Sequence, residues 1–167
     1  FISKLFSKTH CNWQLHFLWP PRGRYLVVDA RHGSYKRSYA MFRIEEDEPG
    51  SCDSIVASVR CSRKSLVVQN LPDISGLDLK NVQTLQDIPK GHREDVATYL
   101  AQGLGKDLSI LKKYNRKARH FFGAIVQAGG RPWGVLLIDS LGAKAPFTEP
   151  IRERLESFTR IIESVTD

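Results

Sequence analysis

Residues 119–140 read RHFFGAIVQAGGRPWGVLLIDS, and this stretch decides the fold. Ala118 to Gln127 and Pro132 to Asp139 are two runs rich in β-branched and aromatic residues, joined by Ala128-Gly129-Gly130-Arg131. Two such runs around a Gly-Gly pair predict a β-hairpin. The second run, from Trp133 to Asp139, is apolar on both faces, which predicts a central, buried strand. Working outward, Thr148, Glu149 and Pro150 suit a helix start, and Ile151, Leu155, Phe158, Ile162 and Val165 form an apolar stripe at helical spacing. The chain should therefore close on a helix laid against the hairpin.

Upstream, Trp13 to Trp19 alternates as a strand, Pro20 to Gly23 makes a turn, and Tyr25 to Ala30 reads as its hairpin partner. His32-Gly33-Ser34 marks a further turn before a third strand at Ser38 to Ile44. The acidic run Glu45 to Glu48 precedes a helix expected over about Cys52 to Arg60, with Ser51 or Asp53 as its N-cap. Ser65 to Gln69 reads as a short strand, and Asn70 to Gly91 as a long loop. From Glu94, the positions Val96, Leu100, Leu104, Leu108 and Leu111 recur at helical spacing, with Gly103 and Gly105 weakening the middle. About six strands, mostly in hairpins, with inserted helices and a closing one, give an α+β layout on an antiparallel sheet.

Length and composition agree with a single domain. The 167 residues are 41% apolar, close to the globular norm, and no apolar run reaches the ~20 residues of a membrane span. The net charge of +7 is uneven: residues 1–43 carry +7, residues 44–100 −4, residues 101–133 +6 and residues 134–167 −2. The densest basic stretch, Lys112 to His120, holds a single Tyr, with Phe121-Phe122 after it. No helix-turn-helix, zinc-finger or RNA-recognition pattern accompanies it, so specific nucleic-acid binding is not expected. Cys11, Cys52 and Cys61 form neither a CxxC pair nor a complete disulfide set, which suits a reducing compartment and a cytoplasmic location. The five histidines are scattered without carboxylates at metal spacing, so no metal site is expected. His120 alternates in phase with Phe122 and Ala124, where a hydrogen-bonded core or edge role is expected, and Arg119 falls on the opposite face with Phe121.

The hairpin and the Phe147-Thr148-Glu149 helix start together resemble the C-terminal half of a GAF domain. In that family a Gly precedes an apolar strand ending near Asp-Ser, and a Phe-Thr step opens the last helix. Those features fall here on Gly130, Gly134, Asp139-Ser140 and Phe147-Thr148. The stretch GSCDSIVASVRCSRKSLVVQNLPDIS, residues 50–75, is similar to the family's middle element. The resemblance covers roughly residues 13–165, leaving residues 1–12 as a linker or the remnant of an N-terminal helix. It implies a six-stranded antiparallel sheet flanked by helices, within a larger signalling protein whose upstream segment could tether it to a membrane.

The resemblance further implies a sensory or regulatory module that binds a small molecule between the sheet and its covering segments. That ligand would be anionic or a nucleotide, bound by some of Tyr39, Phe42, Cys52, Ile55, Asp73, Tyr99, Arg119 and Phe121. Output would pass through the terminal helix to an adjacent domain or through homodimerisation. The cofactor is left open. A cysteine-linked tetrapyrrole is not expected, because residues 70–120 lack cysteine. The phosphodiesterase-type signature Asn-Lys-x-Phe-Asp-Glu is absent, since residues 139–147 read DSLGAKAPF. The enzymatic members, the free methionine-(R)-sulfoxide reductases, use clustered cysteines and a Gly-His-Ile-Ala-Cys segment. Here that loop reads NLPDISGLDLKN, residues 70–81, so catalysis is not expected even though Cys52 resembles one of those cysteines by position. A ligand-free interaction or dimerisation module is the alternative reading, and thiol redox chemistry on Cys52 and Cys61 a further one.

Overall fold

The computed structural model describes residues 13–19, 25–33, 41–43, 54–104, 108–113 and 118–166, the first three segments through their backbone alone. In chain order the strands are β1 (Trp13–Trp19), β2 (Tyr25–Gly33), β3 (Met41–Arg43), β4 (Leu66–Val68), β5 (His120–Ala128) and β6 (Arg131–Ser140). The α-helices are α1 (Ile55–Ser62), α2 (Arg93–Tyr99), α3 (Leu108–Lys113) and α4 (Glu149–Thr166). The strands form one sheet in the order β3-β2-β1-β6-β5-β4, and every pairing is antiparallel. β6 is central, between β1 and β5, as its apolar run on both faces requires.

The β5–β6 hairpin turns through Gly129 and Gly130, whose φ values of +55° and +71° are both positive. A two-residue turn with both φ positive continues the right-handed twist of its strands, and glycine adopts it without a Cβ clash. Alternation then sorts the side chains. Phe121, Val135 and Leu137 join one apolar cluster with Ile55, Val59, Leu71, Ile74, Val96 and Tyr99 from the segments covering that face. Phe122, Ala124 and Ile138 join a second cluster with Phe147 and Leu155, where α4 covers the opposite face. The rings of Phe122 and Phe147 lie 6.0 Å apart in a tilted arrangement.

Several boundaries differ from the sequence expectation, each for a local reason. His32 and Gly33 belong to β2 and not to a turn, because they pair with Leu15 and Gln14 of β1. Helix α1 starts at Ile55, not Cys52. Its N-cap is Ser54, extended at φ −161° and accepting the Ala57 N–H at 3.2 Å, in place of Ser51 or Asp53. The loop after β4 contains two short 3₁₀ turns, Leu85–Asp87 and Lys90–His92. The first is held by Thr84 and Asp87 capping each other. The helical pattern from residue 93 is interrupted, as the glycines suggested: α2 ends at Tyr99 and widens into a π turn over Leu100–Leu104. A Cβ at Gly103 would stand 2.8 Å from Leu71 Cδ1, so glycine here lets the covering helix approach the chain leaving β4. The proposed linker 1–12, the turn at 20–23, the acidic run 45–48 and most of the basic run 112–117 lie outside the described residues. No helix among the described residues is long and apolar enough to cross a membrane.

Candidate functional site

The face of the sheet opposite α4 carries the candidate site, and its chemistry concentrates where β5 begins. Arg119 immediately precedes β5. Its backbone N–H donates to the Ser140 carbonyl at 2.8 Å, and its carbonyl accepts the Leu71 N–H at 3.0 Å, so it continues the ladder on both sides. The half-buried side chain turns back, and Nε donates to the Leu71 carbonyl at 2.9 Å. One residue thereby fixes the departure of the covering segment from β4 and sets a guanidinium beside it. Among the described residues the two terminal nitrogens of that guanidinium take no hydrogen bond.

Asp73 lies in the covering segment within reach of the Arg119 charge. Its carboxylate accepts the Ser75 hydroxyl at 2.6 Å and the Ser75 N–H at 3.1 Å, an Asx turn at the surface. These bonds hold the carboxyl below its ordinary range, the hydroxyl contributing most, the amide next, and Arg119 adding a smaller pull against slight desolvation. Asp73 is therefore a carboxylate at neutral pH.

Tyr99 closes α2 and is fully buried. Its O–H donates to the Ala118 carbonyl at 2.6 Å, which pins the covering helix to the approach to β5. Burial first, and then the negative charge of Asp139, push its phenol far above the ordinary tyrosine range, so it stays a neutral donor. Asp139 is the cross-strand partner of Phe121. The alternation Val135, Leu137, Asp139 puts it on the covered face, a placement readable from the period of the strand. Ile55 and Phe121 are buried in the same apolar cluster as Tyr99. Ile55 also flanks Gly123, where a Cβ would stand 3.6 Å from its Cγ2.

The eight sequence candidates thus separate. Arg119 bonds the Leu71 carbonyl just past β4, and Asp73, two residues on, feels its charge without a bond to it among the described residues. Ile55, Tyr99 and Phe121 share the packed interior beneath the cover. Phe42 pairs with Leu26 between β2 and β3, and only its backbone is described. Tyr39 and Cys52 lie outside the described residues. Ser75 and the Leu71 carbonyl are additions: the Asp-x-Ser spacing of 73–75 signals an Asx turn, whereas nothing in the sequence marks a backbone carbonyl as a guanidinium partner.

Arg119 offers a fixed cation, able to hold a carboxylate or phosphate through charge-assisted hydrogen bonds. Cys61 is half-buried on α1 and packs against the core. His120 serves the other face of the sheet, where Asn70 N–H donates to its Nδ1 at 3.1 Å and its Nε2 meets the Gly142 carbonyl at 2.8 Å. No group of three or more His, Cys, Asp or Glu among the described residues could hold a metal ion.

No family model matches the sequence, and no curated protein does. Solved structures do match. The fRMsr of Staphylococcus aureus in complex with substrate superposes with a TM-score of 0.58 at 15% identity, over 99% of this chain and 80% of that one. The type II free methionine-R-sulfoxide reductase of Thermoplasma acidophilum gives 0.54 at 13% identity, over 96% and 84%. A GAF domain region from Geobacter sulfurreducens also gives 0.54, at 14% identity, over 97% and 85%. Identities this low carry the fold and not the activity, because unlike functions share folds. The fold of this chain is that of the GAF domain.

Proposed function

We propose that this chain is a non-catalytic, regulatory GAF-type domain that binds a small anionic ligand, a nucleotide among the candidates, on the covered face of its sheet. The observation that carries the reading is the Arg119 guanidinium, oriented by its Nε bond to the Leu71 carbonyl at the edge of the cover. Ligand contacts would favour one arrangement of the covering segment. Helix α4, packed on the opposite face, would pass that bias to an adjacent domain or a second copy. A ligand shifts such an equilibrium only by its difference in affinity for the two arrangements, which places the charged anchor at the centre of the mechanism.

A second reading, thiol redox chemistry on free methionine sulfoxide, draws support from the similarity to the reductase structures. The covering segment counts against it, for residues 70–104 contain no cysteine to act as nucleophile. Calorimetry separates the readings. The panel is cyclic nucleotides, haem, free amino acids and methionine-R-sulfoxide, against wild type and Arg119→Gln. An anionic member should bind, and the substitution should weaken it about tenfold or more, as loss of a hydrogen bond to a charged group does. Silence across the panel refutes ligand binding, and a concentration-dependent mass would then favour an interaction module. Turnover of methionine-R-sulfoxide that Cys52→Ser abolishes would establish the enzyme instead.

A further inference from the structure

His120 is the first residue of β5 and is fully buried, and its ring joins segments far apart in the chain. The Asn70 amide can only donate, so Nδ1 at 3.1 Å from it is the acceptor. The imidazole proton then sits on Nε2 and is donated to the Gly142 carbonyl at 2.8 Å. Asn70 is where β4 gives way to the covering segment. Its φ of +62° is one that asparagine tolerates better than most side chains. Gly142 belongs to the loop between β6 and α4. Beside Asn70, the Gln69 side chain grips that loop again, accepting the Phe147 N–H at 3.0 Å and donating to the Phe147 carbonyl at 3.3 Å.

We propose that His120 is a proton-operated latch, holding the root of the covering segment to the sheet when neutral and releasing it when protonated. A solvent proton adds to the Nδ1 lone pair and turns the acceptor into a donor, which the Asn70 N–H cannot meet. The bond to Asn70 breaks. The Nε2–H bond to Gly142 survives and gains the charge of the imidazolium, and the Gln69 clamp is neutral and does not titrate. The two bonds between Leu71 and Arg119 do not titrate either, so release is local to Asn70, at the root of the cover, and does not run towards α4.

The surroundings set where the latch opens. Asn70 and Gln69 at the end of β4, Ser140 across the ladder on β6, and Gly142 in the following loop are all uncharged. Helix α4, on the same side of the sheet, carries Glu149, Arg152 and Glu156, which are at least partly exposed and make no bond to the ring. The charge acting on His120 is that of Arg119, next to it in the chain, and it adds to burial in opposing the imidazolium. The latch accordingly opens below the ordinary histidine value. The latch stands on these bonds and is independent of the ligand reading, although it acts at the root of the same cover.

The test follows the whole chain by NMR from pH 7.5 to 4.5, with ¹⁵N-labelled histidine and amide-exchange protection factors. At neutral pH the His120 ring should be the Nε2–H tautomer. Through its titration, protection at Asn70 should fall about tenfold per pH unit, while Leu71, Phe122 and Ile138 stay protected. In His120→Gln, whose amide can accept and donate but not titrate, the pH dependence at Asn70 should vanish. A ring that titrates while Asn70 protection holds overturns the proposal. So does a ring that stays neutral until Phe122 and Ile138 open with it. Should the variant not fold, the wild-type titration alone decides.

Discussion

Replacing Gly123 by alanine is the sharpest test of how α1 rests on the sheet. A Cβ at that position would lie 2.7 Å from Val59 Cγ2, 3.7 Å from Val59 Cβ and 3.6 Å from Ile55 Cγ2. Carbon pairs prefer about 3.5–4.0 Å, so the new methyl intrudes on Val59 by about 1 Å. Neither side can give way easily. Val59 is fully buried, and a helical valine is confined almost entirely to one rotamer. Gly123 is held between Leu66 on β4 and Leu137 on β6. The helix must lift or the valine leave its rotamer, and overpacking of this kind costs about 1–3 kcal/mol. Urea unfolding should show the loss as a lower midpoint at unchanged slope, with the melting temperature down by about 2–4 °C for each kcal/mol. Val59→Ala alone should also destabilise, through lost burial and a cavity. The double variant should be more stable than the sum of the singles by about 1 kcal/mol or more, because each change makes room for the other. Additivity of the two, or a cost below about 0.5 kcal/mol for Gly123→Ala, would refute the close approach.

Tyr99→Phe removes the donor from the buried Ala118 carbonyl and should cost about 1–3 kcal/mol in urea unfolding. In an alkaline spectrophotometric titration of the folded wild type, one tyrosine should stay protonated while ordinary ones ionise near pH ~10, and this lag should disappear in the variant. Gly130→Ala forces a Cβ into a φ of +71° and should cost about 1–2 kcal/mol, whereas Gly129→Asn in the same turn should be close to neutral by thermal melting. Burial, and secondarily Arg119, depress the His120 pKa in the folded state, so the unfolded chain takes up its proton first. The stability this histidine contributes is therefore full above about pH 6.5 and lost as pH falls through the depressed value. Unfolding free energy measured from pH 8 to 5 should drop on the acid side in wild type and drop less in His120→Gln.

The parts of the fold legible in the sequence are those where one short-range rule dominates. The β5–β6 hairpin announced itself because alternation, β-branched residues and a Gly-Gly pair all agree over residues 119–140. Helix α4 was marked by its cap region and its 3.6-residue stripe. The cover was harder. Leu71, Ile74, Leu79, Val82 and Ile88 are all buried, yet their spacing matches no helix or strand, since the backbone between them is turned by Asp73, Asp78 and Asp87 side chains gripping nearby amides. The start of α1 was displaced because Ser51, Asp53 and Ser54 are all competent caps, and only the path of the chain chooses among them. At the candidate site, the opposition of Arg119 and His120 across the strand followed from the period of two. Their partners did not, because the Leu71 carbonyl and the amide of Asn70 lie 48 and 50 residues away in the chain and carry no side-chain signature.

The strand order has a consequence for how the chain reaches this state. β3, β2 and β1 are neighbours in sequence, as are β5 and β6, but the two groups meet only at the β1–β6 seam, where Leu18 faces Val135. Closing that seam brings together residues more than a hundred positions apart, and the chain entropy of such a closure is lost before its contacts compensate. During synthesis β1 leaves the ribosome early and keeps its β6-facing edge unpaired until nearly the whole domain has followed. The interval in which that edge stays open, more than the stability of either group, is the period when the nascent chain is most exposed to pairing with the wrong partner.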